Sequence, residues 1–180
     1  MSALLHPEAF VRWFRQAAPY VHAFRGRVFV IGFGGEIVAE RARFVSLVHD
    51  LNLLAALGIR LVLVHGARPQ IEAELRAKGE RSRYARGLRI TDAASLVAVK
   101  HAAGVLRVEI EALLSQGLPN SPMAGAQIRV ASGNYITARP IGIVDGVDYQ
   151  FTGEVRKIDA GAIAKRLEAG EVVLVPHIGY

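Results

Sequence analysis

The chain contains no cysteine in its 180 residues, which excludes disulfides and thiolate metal centres and suits a reducing compartment. A signal-peptide core is missing as well, because Glu8 and Arg12 break up the apolar residues of the N-terminus. Asp50, Asn52 and Arg60 interrupt the most hydrophobic region before it could span a bilayer. There is no internal repeat, low-complexity tract or domain linker, and no second histidine or carboxylate stands at metal-site spacing from His65. These absences lead us to expect a soluble cytoplasmic protein with no metal and no membrane partner.

Hydrophobic residues make up 52% of the chain, enough for a real core and too many for a mainly disordered protein. The formal charge is +6, and Arg76, Lys78, Arg81, Arg83, Arg86 and Arg89 crowd one stretch. Nucleic-acid binding would call for a helix-turn-helix, an aromatic-basic sheet signature or a basic tail, and none is present. A basic rim around a small carboxylate or phosphate ligand explains the charge better.

Apolar runs at 27–33, 60–64 and 171–175 read as strands covered on both faces, as in a parallel sheet. Between them the spacing predicts helices from Arg41 to Leu57, ending at Gly58, and from Pro69 to Lys78, ending at Gly79. Thr91 is the expected N-cap of a longer helix, with Asp92 in its first turn, running to about Leu114 before Gly117 and Pro119. From Gln127 to about Phe151, alternation and the Gly133-Asn134 and Asp145-Gly146 turn signals predict antiparallel strands. A last helix opens at Asp159 or Gly161 and stops at Gly170. At the other end, Phe10, Phe14, Ala17, Ala18 and Val21 mark one side of a helix from Pro7 to Phe24 with Pro19 inside it. That apolar stripe needs covering, by its own domain, by another subunit or, less well supported, by a membrane surface.

Two strands end in glycine turns: Ile31-Gly32-Phe33-Gly34-Gly35 and Val64-His65-Gly66-Ala67-Arg68-Pro69-Gln70. Ligands of open α/β sheets collect at the carboxyl ends of strands, so Gly34, Gly35, His65, Gly66 and Arg68 are expected to converge there. Glycine lets backbone N–H groups approach an anion at a helix start, although a tight turn without a ligand has the same signature. Arg68 can hold a carboxylate in bidentate fashion. His65 alone reads as a hydrogen-bonded structural residue.

Together with Arg86-Gly87-Leu88-Arg89-Ile90-Thr91, in this order and spacing, these segments resemble the amino-acid-kinase domain of bacterial N-acetylglutamate synthases over essentially the whole chain. The resemblance implies a three-layer α/β/α, carbamate-kinase-like domain with a mainly parallel sheet. It divides the chain into an N-terminal interlacing helix, residues 1–25, and the first part of the kinase-like domain, residues 26–180. In the related N-acetylglutamate kinases a lysine precedes the glycine pair and more glycines follow the histidine; here Gly32 takes the lysine position and Ala67-Arg68 replace the glycines. Phosphoryl transfer leans on positioned cations, so the resemblance implies a non-kinase with no catalytic residue in this chain. Arg89 then becomes the residue expected to hold a carboxylate in the groove, against the simpler role of propping its hairpin.

Further implications concern the parent protein: acetylation of L-glutamate with acetyl-CoA as co-substrate, in a separate domain that would follow, and feedback inhibition by L-arginine. The N-terminal helix would interlace subunits into a homo-oligomer, a hexamer in the family, with Tyr20 beside the effector. The chain looks cut short after its last core strand. An ATP-dependent N-acetylglutamate kinase and a stand-alone arginine-sensing scaffold are the alternatives.

Overall fold

The computed structural model describes residues 7–116 and 128–180. An N-terminal helix α1 (Pro7–Phe24) leads into β1 (Val28–Phe33), a short helix α2 (Gly35–Ala39), α3 (Arg41–Ala56), β2 (Arg60–His65) and α4 (Arg68–Ala77). A first hairpin, β3 (Arg83–Ala85) and β4 (Leu88–Ile90), precedes the long α5 (Ala93–Ser115). Then come β5 (Val130–Ser132), β6 (Ile136–Pro140), β7 (Ile143–Val144), β8 (Val147–Asp148), β9 (Gly153–Ile158), α6 (Ala160–Glu168) and β10 (Val172–Val175).

Among the described residues the central sheet has the order β1-β2-β10-β5 and every pairing in it is parallel. Because side chains alternate across a strand, Leu61 and Leu63 of β2 join Leu174 of β10 in one core with Phe44, Val48 and Leu51 of α3, Leu75 of α4 and Leu106 and Ile110 of α5. Val62, Val173 and Val175 point the other way and are covered by Leu167 of α6 and by Tyr135. This is the expected three-layer α/β/α arrangement. The second layer does not reach β1, whose outward residues Val28 and Val30 are 48% and 68% exposed. No helix among the described residues is long and apolar enough to cross a membrane.

Two expectations change. Asp92, not Thr91, caps α5, its carboxylate accepting the Ser95 N–H at 2.8 Å. Thr91 is instead buried and tied to the later strands, its carbonyl accepting the Phe151 N–H. The stretch before Phe151 is also not one antiparallel unit. Val130–Ser132 pairs in parallel with β10, while β6 pairs with β9, so Gly133-Asn134 is a passage between two sheets. Alternation cannot tell an edge strand of the main sheet from a hairpin arm. Asp145-Gly146 does form the predicted turn between β7 and β8. Gly117, Pro119 and Gln127 lie outside the described residues.

Candidate functional site

The candidate crevice lies at the carboxyl ends of β1, β2 and β10. Parallel register sets Phe33 beside His65, so the two glycine turns leave the sheet together. The Gly66 N–H donates to the Phe33 carbonyl at 2.9 Å, and Gln70 Nε2 donates to the Gly35 carbonyl at 2.8 Å. Gly35 is a glycine for a steric reason: a Cβ there would stand 2.9 Å from the Ala67 Cα and 2.3 Å from Gln70 Oε1. Gly34 caps α2, and a Cβ on Gly66 would face its Cα at 3.6 Å. Gly32 differs, being exposed with only the Val64 carbonyl, 4.0 Å away, near the Cβ position.

Beneath the turns His65 is 1% exposed, stacked on Phe33 at 6.4 Å between ring centroids and met edge-on by His177 at 5.6 Å. His65 Nε2 and both ring nitrogens of His177 are buried without a hydrogen-bond partner. Burial lowers the His65 pKa, opposed in part by the Gly66 carbonyl. Burial, then the neighbouring His65, pushes His177 down to about 4, opposed in part by the Val99 backbone and helped slightly by Arg89. Both imidazoles are therefore neutral near pH 7 and offer acceptor nitrogens.

The rim is basic and largely self-compensated. Arg68 opens α4 with its guanidinium 4.9 Å from the Tyr84 ring centroid, and Arg89 stands 5.2 Å from the same ring. Tyr84 donates to Glu72 Oε1 at 2.7 Å, and Arg89 Nη2 lies 3.1 Å from that oxygen. Arg89, with its side chain 12% exposed, also bonds the Ser82 hydroxyl. Burial of Glu72 opposes its ionisation, but hydrogen bonds from Tyr84 and Ser82 and the Arg89 charge prevail and hold its carboxyl below the usual range. Burial, then the bond to Glu72, raises Tyr84. Arg89 thus fastens the β3–β4 hairpin to α4, whereas Arg68 makes no ion pair among the described residues. A carboxylate entering the crevice would meet Arg68 as its open cation.

The structure accordingly gathers Gly34, Gly35, His65, Gly66, Arg68 and Arg89 at one end of the sheet. Tyr20 is elsewhere, 69% exposed on α1. Sequence reading did not single out His177, Gln70, Glu72 or Tyr84. For His177 a signal existed, since it follows the apolar run of β10 at a strand end. No group of three or more histidines and carboxylates placed to hold a metal occurs among the described residues.

Residues 27–180 match the family model described as the amino acid kinase family. The chain is 52% identical over 173 residues to an amino-acid acetyltransferase of Ralstonia nicotianae, covering 96% of the chain and 38% of that relative. It is 54% identical over 171 residues to an amino-acid acetyltransferase of Pseudomonas aeruginosa, covering 95% and 39%. The chain therefore spans well under half the length of these relatives. Among solved structures, N-acetylglutamate synthase from Neisseria gonorrhoeae complexed with coenzyme A and L-arginine superposes with a TM-score of 0.86 at 40% identity, over 95% of this chain and 40% of that one. Carbamate kinase from Giardia lamblia, at 13% identity and a TM-score of 0.55 over 86% of this chain and 57% of that one, shares the fold. On its parallel sheet, its paired glycine turns and this match, the chain belongs to the amino acid kinase family.

Proposed function

We propose that this chain is the kinase-like portion of an N-acetylglutamate synthase, serving assembly and arginine feedback, while acetyl transfer from acetyl-CoA to L-glutamate takes place in another part of the parent protein. The observation that carries the reading is the likeness along nearly the whole chain to amino-acid acetyltransferases at 52 to 54% identity. Gly32 supports it, because an exposed glycine at the end of β1 supplies no cation to a transferring phosphoryl group. The groove proposed from Gly34, Gly35, His65, Gly66, Arg68 and Arg89 would then be a retained place for a carboxylate and not a catalytic centre, with Arg68 at its rim, Gly35 and His65 buried beneath it and Arg89 paired to Glu72.

Residues 1–25 would serve as an assembly arm and 26–180 as the first part of the kinase-like domain. No residue of α1 is buried, and Phe10, Trp13 and Phe14 are 48%, 60% and 60% exposed. A stripe of that size calls for a partner, and we assign it to a second subunit of a homo-oligomer. L-arginine would bind beside α1 at Tyr20, and the cytoplasm is the compartment that fits a biosynthetic role. The test is to assay the full-length parent for N-acetylglutamate formation from acetyl-CoA and glutamate, with and without arginine. Magnesium- and ATP-dependent phosphorylation of N-acetylglutamate, with no acetyl transfer, would overturn the reading in favour of a kinase.

A further inference from the structure

The glycine turn after β1 is lined by hydrogen-bond acceptors. Gly34 has φ of −78° and ψ of 159°, a conformation open to every residue, so its bare Cα matters for the space it leaves. Glu36 fills that space: its Oε2 overlaps the place a Cβ on Gly34 would take, with Cδ 3.3 Å from it. Among the described residues neither Glu36 nor Arg68 has an ion-pair partner. At the next residue Gln70 Nε2 donates to the Gly35 carbonyl at 2.8 Å. A carbonyl accepts only from the NH2 side of that amide, so Oε1 is the free end, and it is buried over Gly35 without a partner. Beneath the same turns His65 Nδ1 faces the Gly66 carbonyl at 3.3 Å. That contact puts the ring proton on Nδ1 and leaves Nε2 a buried lone pair, also without a partner. Buried acceptors left unanswered are costly and rare. Two of them beside an unpaired carboxylate specify a ligand that donates hydrogen bonds and carries positive charge.

We propose that the turn at Gly34 and Gly35 seats an ammonium group, held by Glu36 and Gln70, and that the ligand of the crevice is a free α-amino acid whose carboxylate goes to Arg68. The span is short, because the Cβ position of Gly35 lies 2.9 Å from the Cα of Ala67, the residue before Arg68. An N-acylated amino acid has the carboxylate but no ammonium. Its amide N–H answers one acceptor and leaves Glu36 without a counter-charge, so the same groups select against it. Glu36 is therefore the specificity-determining residue of the groove. It also repels a phosphoryl group laid on the turn, a second obstacle to phosphoryl transfer beside Gly32. This ligand class rests on the crevice being the retained groove proposed above, and it does not involve Tyr20 on α1.

Calorimetric titration of the 180-residue chain with L-glutamate, N-acetyl-L-glutamate and inorganic phosphate tests the assignment. L-glutamate should bind about tenfold or more tightly than N-acetyl-L-glutamate, and phosphate should not bind. Glu36→Gln keeps the shape of an exposed side chain and should erase most of that ratio, weakening glutamate while sparing its N-acetyl form. Arg68→Met should weaken both alike and preserve the ratio. Tyr20→Ala should leave it unchanged, which separates this seat from an effector site beside α1. Urea midpoints at the parent's level show that the variants are folded. Equal affinity for the two glutamates, binding of phosphate, a ratio untouched by Glu36→Gln, or no glutamate binding at millimolar concentration would overturn the proposal. Acetyl transfer by the full-length parent is measured separately, so a parent that acetylates glutamate while this chain shows no such ratio removes the ammonium seat alone.

Discussion

Arg86 and Asp145, 59 residues apart in sequence, form an ion pair between the tips of two hairpins, each in a left-handed backbone conformation at φ of 50° and 49°. Each is followed by a glycine with φ near 80°, Gly87 at 81° and Gly146 at 77°. Both two-residue turns thus have positive φ throughout, the form that matches strand twist in tight hairpins. Asp-Gly is a favoured pair for it; Arg-Gly is not. The pair is accompanied by a bond from the Tyr149 hydroxyl to the Ala85 carbonyl at 3.2 Å, so β3–β4 and the segment around β7–β8 are held together above the crevice.

Because both charges are more than half exposed, the pair should contribute no more than about 1 kcal/mol, while left-handed backbone costs a non-glycine residue about as much or more. Arg86→Gly is therefore expected to leave stability at the parent's level within about 0.5 kcal/mol, and Arg86→Val to lose about 1 to 2 kcal/mol. Urea denaturation of the two variants checks this. A loss on Arg86→Gly as large as on Arg86→Val would mean that the charge contact, not the backbone, sets the tip.

Gly35 and Gly32 should respond in opposite ways. Gly35→Ala forces a Cβ to 2.9 Å from the Ala67 Cα, backbone that cannot swing aside; overpacking of this kind costs about 1 to 3 kcal/mol. Gly32→Ala meets nothing nearer than 4.0 Å and should be neutral or slightly stabilising through a less flexible unfolded chain. Equal midpoints in urea for the two variants would contradict the close approach of the turns.

The buried histidines give a pH dependence with a definite sign. At pH 7 His177 is neutral folded and mostly neutral unfolded. Below its ordinary value of 6.5 the unfolded chain binds a proton that the folded chain, at about 4, does not. Stability should thus fall as pH drops from about 6.5 towards 4 and stop falling, for this group, below that value; allowing for partial solvent access the loss is of the order of 2 kcal/mol. His65, also lowered, adds in the same direction. His177→Phe should flatten the dependence, as read from urea midpoints at several pH values between 7 and 4. Parallel curves for parent and variant would assign the acid loss to other groups.

What was legible in the sequence follows from range. β2 and β10 announce themselves as continuous apolar runs because they are covered on both faces, β1 shows the same run although its outward Val28 and Val30 are exposed, and Gly58, Gly79 and Gly170 end their helices with φ of 81°, 75° and 77°. The convergence of Gly35 with Gly66 follows from a parallel sheet with both turns at one end. The charge balance of the site was not legible. Arg89 stands out as a cation in the sequence, but Glu72, Ser82 and Tyr84 answer it only after the β3–β4 hairpin has folded onto α4. His177 likewise meets His65 only once β10 has been inserted next to β2. Thr91 reads from sequence as the cap of α5 with Asp92 in the first turn; the tie from Thr91 to Phe151, 60 residues on, which leaves the cap to Asp92, is a long-range contact that the local pattern does not carry.

Tyr20 carries the regulatory proposal to its sharpest test. Its ring is 69% exposed on a helix that buries none of its residues, so truncating it should leave the fold intact. If L-arginine binds there and favours an assembly state of lower acetyltransferase competence, Tyr20→Ala in the full-length parent should weaken inhibition and spare uninhibited turnover. Coupling free energies between sites are typically about 1 to 3 kcal/mol, so losing part of one shifts the arginine midpoint by several-fold or more. Acetyl-CoA consumption followed across an arginine titration measures the shift. An unchanged midpoint would remove Tyr20 from the effector site, and a parent enzyme indifferent to arginine would remove the feedback role from this chain.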